Sequence, residues 1–279
     1  MTGPSLEFDC AQICGQTAVR RVELCDELPS TNDLALELAI AAPATDLPLL
    51  VLAVRQTRGR GRGDHRWWST DGALTFSLIL DTESLQLMPR RWPRISLVTG
   101  IAVANTLLGH LPREQLPMER MPMERIPNHE VRVKWPNDVF VDGRKICGIL
   151  TENASRQPHR LVIGIGLNVN NSWSDAPVEL QKIGTSLVDV ADRQFSRQVI
   201  LVDLLQRLHQ SLTDLGRDVF PLTEAWRAFC MLEGNTITVE VGGIRTTGVC
   251  QGIDDDGELL LHNESGIQHC VAGTVAKIH

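Results

Sequence analysis

Between two apolar stretches, Leu49–Val54 and Gly72–Leu80, the chain places RQTRGRGRGDHR, residues Arg55–Arg66. Five arginines and a single acid, Asp64, in twelve residues cannot be buried together, and Gly59, Gly61 and Gly63 alternate through the run. The segment is a loop joining two buried strands, so the chain must build a sheet that carries a cationic, glycine-rich loop. Glycines let backbone N–H groups converge on an anion with no Cβ in the way. Arginines add forked, permanently charged donors suited to carboxylate and phosphate. Trp67-Trp68 follows directly and offers a flat face for a base. A solvated basic loop, a nucleic-acid patch and a small-anion site are all open at this point. The spacing is not a Rossmann fingerprint, because it reads G-x-G-x-G and no helix follows, and it lacks the Gly-Lys-Ser/Thr ending of a P-loop.

Composition narrows the choice. The 279 residues carry a net charge of −7, so a generally basic nucleic-acid binder is excluded and any such role would need a local patch. That length fits one large or two unequal domains at roughly 150 residues each. The apolar share of 43% is ordinary for a globular chain. No run of eighteen apolar residues occurs, so no membrane span is expected, and the N-terminus shows no signal peptide. The seven cysteines are odd in number and mostly scattered, which reads as reduced thiols in a cytoplasm. Cys10 and Cys14 have no following His/Cys pair and read as a frayed helix turn, not half a metal site.

Along the chain, residues 1–18 read as a short tail and Val19–Leu24 as a strand. Ser30-Thr31-Asn32-Asp33 opens a helix, with Ser30 and Asp33 at capping-box spacing. Ile95–Leu108 is a buried helix by its spacing. Residues 111–130 contain a tandem Pro-Met-Glu-Arg repeat, whose prolines exclude a regular helix and make it an exposed insertion. Val131–Trp135, Val139–Val141, Arg144–Glu152 and Leu161–Val169 are strands, and Asp142-Gly143 signals a type I′ hairpin turn. Ser196–Leu215 and Leu222–Met231 are helical. After Gly234, closely spaced short strands indicate a small barrel, and Asp254–Glu258, which lacks the full calcium-loop pattern, is a hairpin turn. The fold class is α+β: a mixed, mostly antiparallel sheet with helices packed on one face, plus the small C-terminal β-barrel. The expected division is a tail at 1–18, a catalytic domain at 19–232 interrupted by the 111–130 insertion, and a second domain at 233–279.

A second informative stretch is VRVKWPNDVFVDGRKICGILTE, residues Val131–Glu152. Alternation puts Val131, Val133 and Trp135 on one strand face, with Trp135 in the core, and Arg132 and Lys134 on the other. Lys145 follows the hairpin turn, and Gly148 marks a close approach of ligand or backbone. By composition alone Lys145 is an exposed hairpin lysine, and Asn137 and Asp138 are turn formers. Asn168 ends a buried strand, where it either caps a turn or faces a ligand.

Taken in order, five segments resemble biotin–protein ligases: Ser30-Thr31-Asn32; Gln56 followed by Gly59-Arg60-Gly61-Arg62; Lys134-Trp135-Pro136-Asn137-Asp138; Arg144-Lys145 with Gly148-Ile149-Leu150; and Ile163-Gly164-Ile165-Gly166-Leu167-Asn168-Val169. The likeness extends through the C-terminal strands, which resemble that family's SH3-like domain. It implies a class II synthetase-like catalytic fold and an ATP-dependent ligase. Biotin and Mg-ATP would give biotinyl-5′-AMP and pyrophosphate, and a lysine of a biotin carboxyl carrier domain would then attack the mixed anhydride. Carried over, Ser30, Thr31, Asn32 and Gln56 would hold the biotin head group. Gly59, Arg60, Gly61 and Arg62 would fold over biotin and phosphate, with the two arginines as charge clamps. Lys145 would contact the biotin carboxylate and the α-phosphate as they join, and Gly148 would let the biotin rings pack on the strand. Trp67 would stack on adenine, with Asn137 and Asn168 on the nucleotide side. Asp138 would contact the metal or position either Lys145 or the incoming lysine. The metal ligands themselves stay unassigned. The resemblance also implies that loop 58–66 is mobile without ligands and orders over them, excluding water from a hydrolysable anhydride.

The chain departs from that pattern in two places. Gly63-Asp64-His65-Arg66 stands where the family commonly has a further Arg-Gly pair, and the Pro-Met-Glu-Arg insertion has no counterpart. Fewer than thirty residues precede Ser30, too few for a DNA-binding domain of about 50 residues or more, so a form without that domain and without a repressor role is expected. No nucleic-acid or membrane partner is expected, and a homodimer is open. A lipoate- or octanoate-transferring relative, which would share the lysine, is disfavoured by the GRGR loop. A nucleic-acid module and a catalytically dead scaffold complete the alternatives.

Overall fold

The computed structural model describes residues 7–63, 65–112 and 129–279. Asp64 and the repeat-bearing part of the insertion lie outside the described residues, as does the start of the expected tail. The elements run α1 (Cys10–Gln16), β1 (Arg21–Leu28), α2 (Thr31–Ala41), β2 (Leu49–Gln56), β3 (Leu74–Asp81) and α3 (Trp92–His110). They continue with β4 (Val131–Lys134), β5 (Asp138–Val141), β6 (Arg144–Asn153), β7 (Arg160–Leu167), α4 (Val178–Gln181), α5 (Leu187–Ala191), α6 (Arg197–Gly216) and α7 (Leu222–Arg227). The last five strands are β8 (Thr236–Val241), β9 (Ile244–Ile253), β10 (Leu259–Asn263), β11 (Gly266–Cys270) and β12 (Thr274–Ile278).

Strands β1 to β7 form one mixed sheet in the order β1-β2-β3-β7-β6-β5-β4, in which β1 and β2 are parallel and every other pair is antiparallel. The middle strands are apolar almost without interruption because both of their faces are covered. One face, with Leu50, Leu52, Phe76, Ile163 and Ile165, packs on α1, α3, α6 and α7. The other, with Leu49, Val51, Ala53, Ile79 and Val162, packs on Ala35 and Ala39 of α2. Helices therefore lie on both faces, not on one as the sequence suggested. Helix α2 is short and alanine-rich, and it covers only part of its face.

Several local expectations meet a physical reason. Ser30 caps α2, its hydroxyl accepting from the Asp33 N–H at 3.4 Å. Asp142 and Gly143 take φ of 49° and 75°, the left-handed pair that a type I′ turn requires. The first strand starts two residues later than expected, and the N-terminal segment is not a loose tail: Asp9 caps α1 and Ile13 is fully buried. The helix expected over Leu222–Met231 stops at Arg227 because Phe229 and Met231 turn to the edge of β4, exchanging hydrogen bonds with Val133 at 2.7 and 3.1 Å. Asp254–Glu258 is a hairpin turn held by the Asp254 carboxylate, which accepts from the Asp256 and Glu258 amides.

The five C-terminal strands form a separate antiparallel sheet in the order β11-β10-β9-β8-β12. Its edges β11 and β12 do not pair, so the barrel expected from the sequence is not closed by hydrogen bonds. This sheet shares its buried residues with the main core through Val239, Cys250, Leu259 and Val275. Trp135, buried as expected, donates its indole N–H to the Gly257 carbonyl across the junction at 3.2 Å. Among the described residues no helix is long and apolar enough to cross a membrane. Trp135→Phe keeps the ring in place but strands that carbonyl, which should cost about 1–3 kcal/mol. The loss should appear as a lower denaturant midpoint with an unchanged slope.

Candidate active site

The part of the sheet that α2 leaves uncovered is floored by glycine. Register aligns Ser77 of β3 with Gly164 of β7 and Leu150 of β6, and the next row is Thr75, Gly166 and Gly148. A Cβ on Gly164 would sit 2.0 Å from the Asn32 side-chain oxygen. One on Gly166 would sit 2.5 Å from the Trp67 indole, and one on Gly148 3.1 Å from the same ring. These positions are glycine because other side chains lie directly on the backbone. The alternating G-I-G of β7 carried that signal in the sequence, where its two glycines received no role of their own.

The floor opens into a cleft of about 290 Å³, close to the lower end for small-molecule sites. At one end, the N-terminus of α2 meets the end of β2. The Thr31 amide donates to Gln56 Oε1 at 2.8 Å and the Thr31 hydroxyl to the same oxygen at 3.2 Å. Ser77 Oγ lies 2.8 Å from Thr31 Oγ1 and 2.6 Å from Asn32 Oδ1. Ser30, Thr31, Asn32 and Ser77 are all buried, which makes this a dry polar pocket of fixed donors and acceptors. Ser77 was not legible as a site residue within the apolar strand around it.

The arginine-glycine loop folds over this pocket. Arg60 and Arg66 pair as an antiparallel bridge, Gly61 N–H donates to His65 O at 2.8 Å, and Trp67 N–H to Gly59 O at 2.9 Å. A side chain on Gly59 would collide with Gln56 at 2.6 Å, so its glycine serves close packing, while Gly61 lines the cleft. Arg60 differs from expectation. Its two terminal nitrogens grip Glu152 at 3.1 and 2.7 Å, and its Nε lies 2.7 Å from Asp33. With two carboxylates on one guanidinium, Arg60 is not a free charge clamp here. Arg62 reaches the other way and donates to the Gly273 carbonyl of the C-terminal sheet at 2.9 Å.

The far end is cationic. Lys145 places its ammonium 2.7 Å from Asp138 and 5.7 Å from the centre of the Trp67 ring. Lys134, paired with Asp138 in the β4–β5 register, donates to Val275 O at 3.4 Å. Burial holds its pKa below the usual lysine value; Asp138 opposes that shift and Lys145 adds to it. Strand alternation puts Lys134 on the non-core face, and its contact with Val275, 141 residues further on, has no signal in its own segment. Asn137 lines the cleft but spends its amide on the Ile149 carbonyl at 2.7 Å. Asn168 departs from expectation: it is fully buried, its amide bonded to Thr185 O and its oxygen to Asn171, each at 3.0 Å. It shapes the chain behind the cleft and does not line it.

One end of the cleft thus fixes a small polar group, the other concentrates positive charge, and a loop covers both. Known proteins resemble this chain in sequence and fold. Residues 24–170 match the model of the Biotin/lipoate A/B protein ligase family, and residues 234–277 match the Biotin protein ligase C terminal domain. The chain is 33% identical to a biotin–[acetyl-CoA-carboxylase] ligase of Mycobacterium tuberculosis, over 87% of this chain and 83% of that protein. It is 31% identical to the bifunctional ligase/repressor BirA of Bacillus subtilis, over 87% of this chain and 70% of that one. Among solved structures, a biotin protein ligase from Aquifex aeolicus in complex with biotin and ATP superposes with a TM-score of 0.74 at 25% identity, covering 91% of this chain and 97% of that one. The chain belongs to the biotin/lipoate A/B protein ligase family and carries the C-terminal domain of biotin protein ligases.

Proposed function

We propose that this cleft adenylates biotin and then biotinylates a lysine of a biotin carboxyl carrier domain. The observation that carries the reading is the pairing, in one covered cleft, of the buried Thr31–Gln56 pocket with the Lys145–Asp138 and Lys134 cluster. A relative named for acetyl-CoA carboxylase and a neighbour holding biotin and ATP support it. The C-terminal domain match favours biotin over lipoate.

In the first step a biotin carboxylate oxygen attacks the α-phosphorus of ATP, the P–O bond to the β-phosphate breaks, and pyrophosphate leaves. Two anions must approach one another, so fixed cationic donors lower the barrier. Lys145 is the donor between them, with Asp138 fixing its ammonium, and Lys134 and Arg62 add charge at the same end. Ser30, Thr31, Asn32 and Gln56 orient the head group. The ring of Trp67 takes the place over Gly148 that the resemblance gave to the biotin rings, and it is offered to the nucleotide. Asn137 stands on the nucleotide side. In the second step the neutral carrier amine attacks the acyl carbon, AMP departs with the electron pair, and the amine loses a proton. In this reading Asp138 also steers that amine.

Mg2+ bound through nucleotide phosphates needs only one or two protein carboxylates, and Asp138 is the carboxylate among the described lining residues. The ion would offset phosphate charge there. Residues 19–232 form the catalytic unit in this reading, and 233–279 the small domain that closes its cationic end. Seven unpaired thiols suit a reducing cytoplasm.

Biotin-dependent exchange of labelled pyrophosphate into ATP is the direct assay, with lipoate and octanoate in parallel. Exchange with biotin alone is expected; exchange with either fatty acid instead would move the chain to the lipoate branch. Lys145→Ala should lower the rate about 100-fold or more with an unchanged circular dichroism spectrum. Lys134→Met removes a desolvated charge, so it should lower exchange while leaving Tm within about 3 °C of the parent. A large Tm loss with normal exchange would make Lys134 structural.

A further inference from the structure

We propose that Glu152 is a positioning residue that latches the arginine-glycine loop shut through Arg60. The proposal rests on the biotin-ligase reading for what the loop covers, but not for the latch itself. Glu152 lies near the end of β6, in the register row next to the one that holds Gly164 and Leu150. One oxygen takes Arg60 at 3.1 Å; the other takes Arg60 at 2.7 Å and the Asn32 amide at 2.7 Å. Asp33, in the first turn of α2, holds the remaining Nε of the same guanidinium. A single carboxylate on the floor thus ties the covering loop to the helix end that builds the head-group pocket.

The geometry suits this purpose. The fork-to-fork pairing is directional as well as charged, so it selects one loop position. Arg60 remains about a third exposed, so the pair can open with water at hand to solvate the freed guanidinium. Asn32 cannot shift freely either, because its oxygen sits against Gly164 and its amide is on Glu152. Closing the loop and ordering the pocket are therefore one event, and the life of a bound ligand depends on how long the latch holds. An anion clamp needs an unmatched cation; Arg60, with two carboxylates, has none to offer.

Stopped-flow tryptophan fluorescence, with Trp67 and Trp68 beside the loop, gives the biotin dissociation rate of the full chain. Glu152→Gln and Arg60→Met should each raise it about tenfold, with KM for biotin rising more than kcat falls. The double variant should be no faster than Arg60→Met alone, because both remove the same contact. Additive effects, or an unchanged rate in Glu152→Gln, would overturn the latch. Trypsin cleavage after Arg58 and Arg62 in the ligand-free chain is a second readout, expected to speed up in both variants. If the parent chain failed to bind biotin, the functional reading would fall while this cleavage still decided the latch. If Glu152→Gln failed to fold, Arg60→Met and Asp33→Asn on the exposed side of the same contact decide it in its place. Equal cleavage in those variants and the parent would refute the proposal.

Discussion

A sheet whose middle strands are packed on both faces leaves no room for a ligand unless some positions have no side chain. Gly148, Gly164 and Gly166 meet that constraint, and the remainder of the site is arranged around it. Asn32 descends onto Gly164 and Trp67 onto Gly166, each to a distance that any Cβ would forbid. The head of α2 and the end of the arginine-glycine loop can therefore both reach the strand backbone. Helix α2 contributes by where it begins: its first turn sets Asn32 on Gly164, and its later residues Ala35 and Ala39 cover Val51, Ala53 and Ile79. The backbone polar groups of those strands are already satisfied by the ladder, so the glycine positions themselves present no free donor or acceptor. Polarity comes from Ser77 in the same register row and from the rim.

On the rim, the way each cation is held determines what it can do. Arg60 is held by carboxylates, and its charge is spent locally. Arg62 and Lys134 are held by the carbonyls of Gly273 and Val275, dipoles that orient a cation without cancelling it. Lys145 stands between these cases, with one carboxylate, Asp138, that also faces Lys134 in the strand register. Among the described lining residues, Lys134, Lys145 and Arg62 have one carboxylate, Asp138, in the cleft with them, which leaves positive charge unmatched in a partly dry cleft. That arrangement is costly in the empty protein and is relieved when an anion arrives.

Much of this could be read in the chain, and the limits of that reading are specific. Local rules recovered the Ser30 cap, the left-handed Asp142-Gly143 turn and the loop character of residues 57–63, because neighbouring residues decide each of them, although β2 runs on through Arg55 and Gln56, which the expected loop included. The buried Trp135 followed from strand alternation. What failed was non-local. Glu152 is 92 residues from Arg60, and no spacing rule links them. An arginine's identity predicts that it seeks an anion, but not whether that anion is a ligand or a protein carboxylate. Asn168 shows the same ambiguity: a polar residue at the end of a buried strand had two meanings, and Thr185 and Asn171, met only through the fold, chose the structural one. The resemblance supplied candidate residues, and the contacts redistributed their roles.

The C-terminal sheet gains a function from the same contacts. Its edge strand β12 supplies Thr274 and Val275 to the cleft lining, and Gly273 just before it takes Arg62. The hairpin at Gly257 holds Trp135, the residue between Lys134 and the turn that carries Asp138. Among the described residues, the bonds to Gly273, Val275 and Gly257 link one small sheet to the segments that bear the cations, and none links it to the head-group pocket. Lys134, whose pKa burial depresses, is tied to that sheet through the Val275 carbonyl. The small domain thus acts on the charged half of the cleft by excluding water and fixing direction. The polar half depends instead on α2, β2 and the glycine floor, so the two halves are built by separate parts of the fold, and the loop that covers both is anchored once in each: Arg60 on Glu152, Arg62 on Gly273.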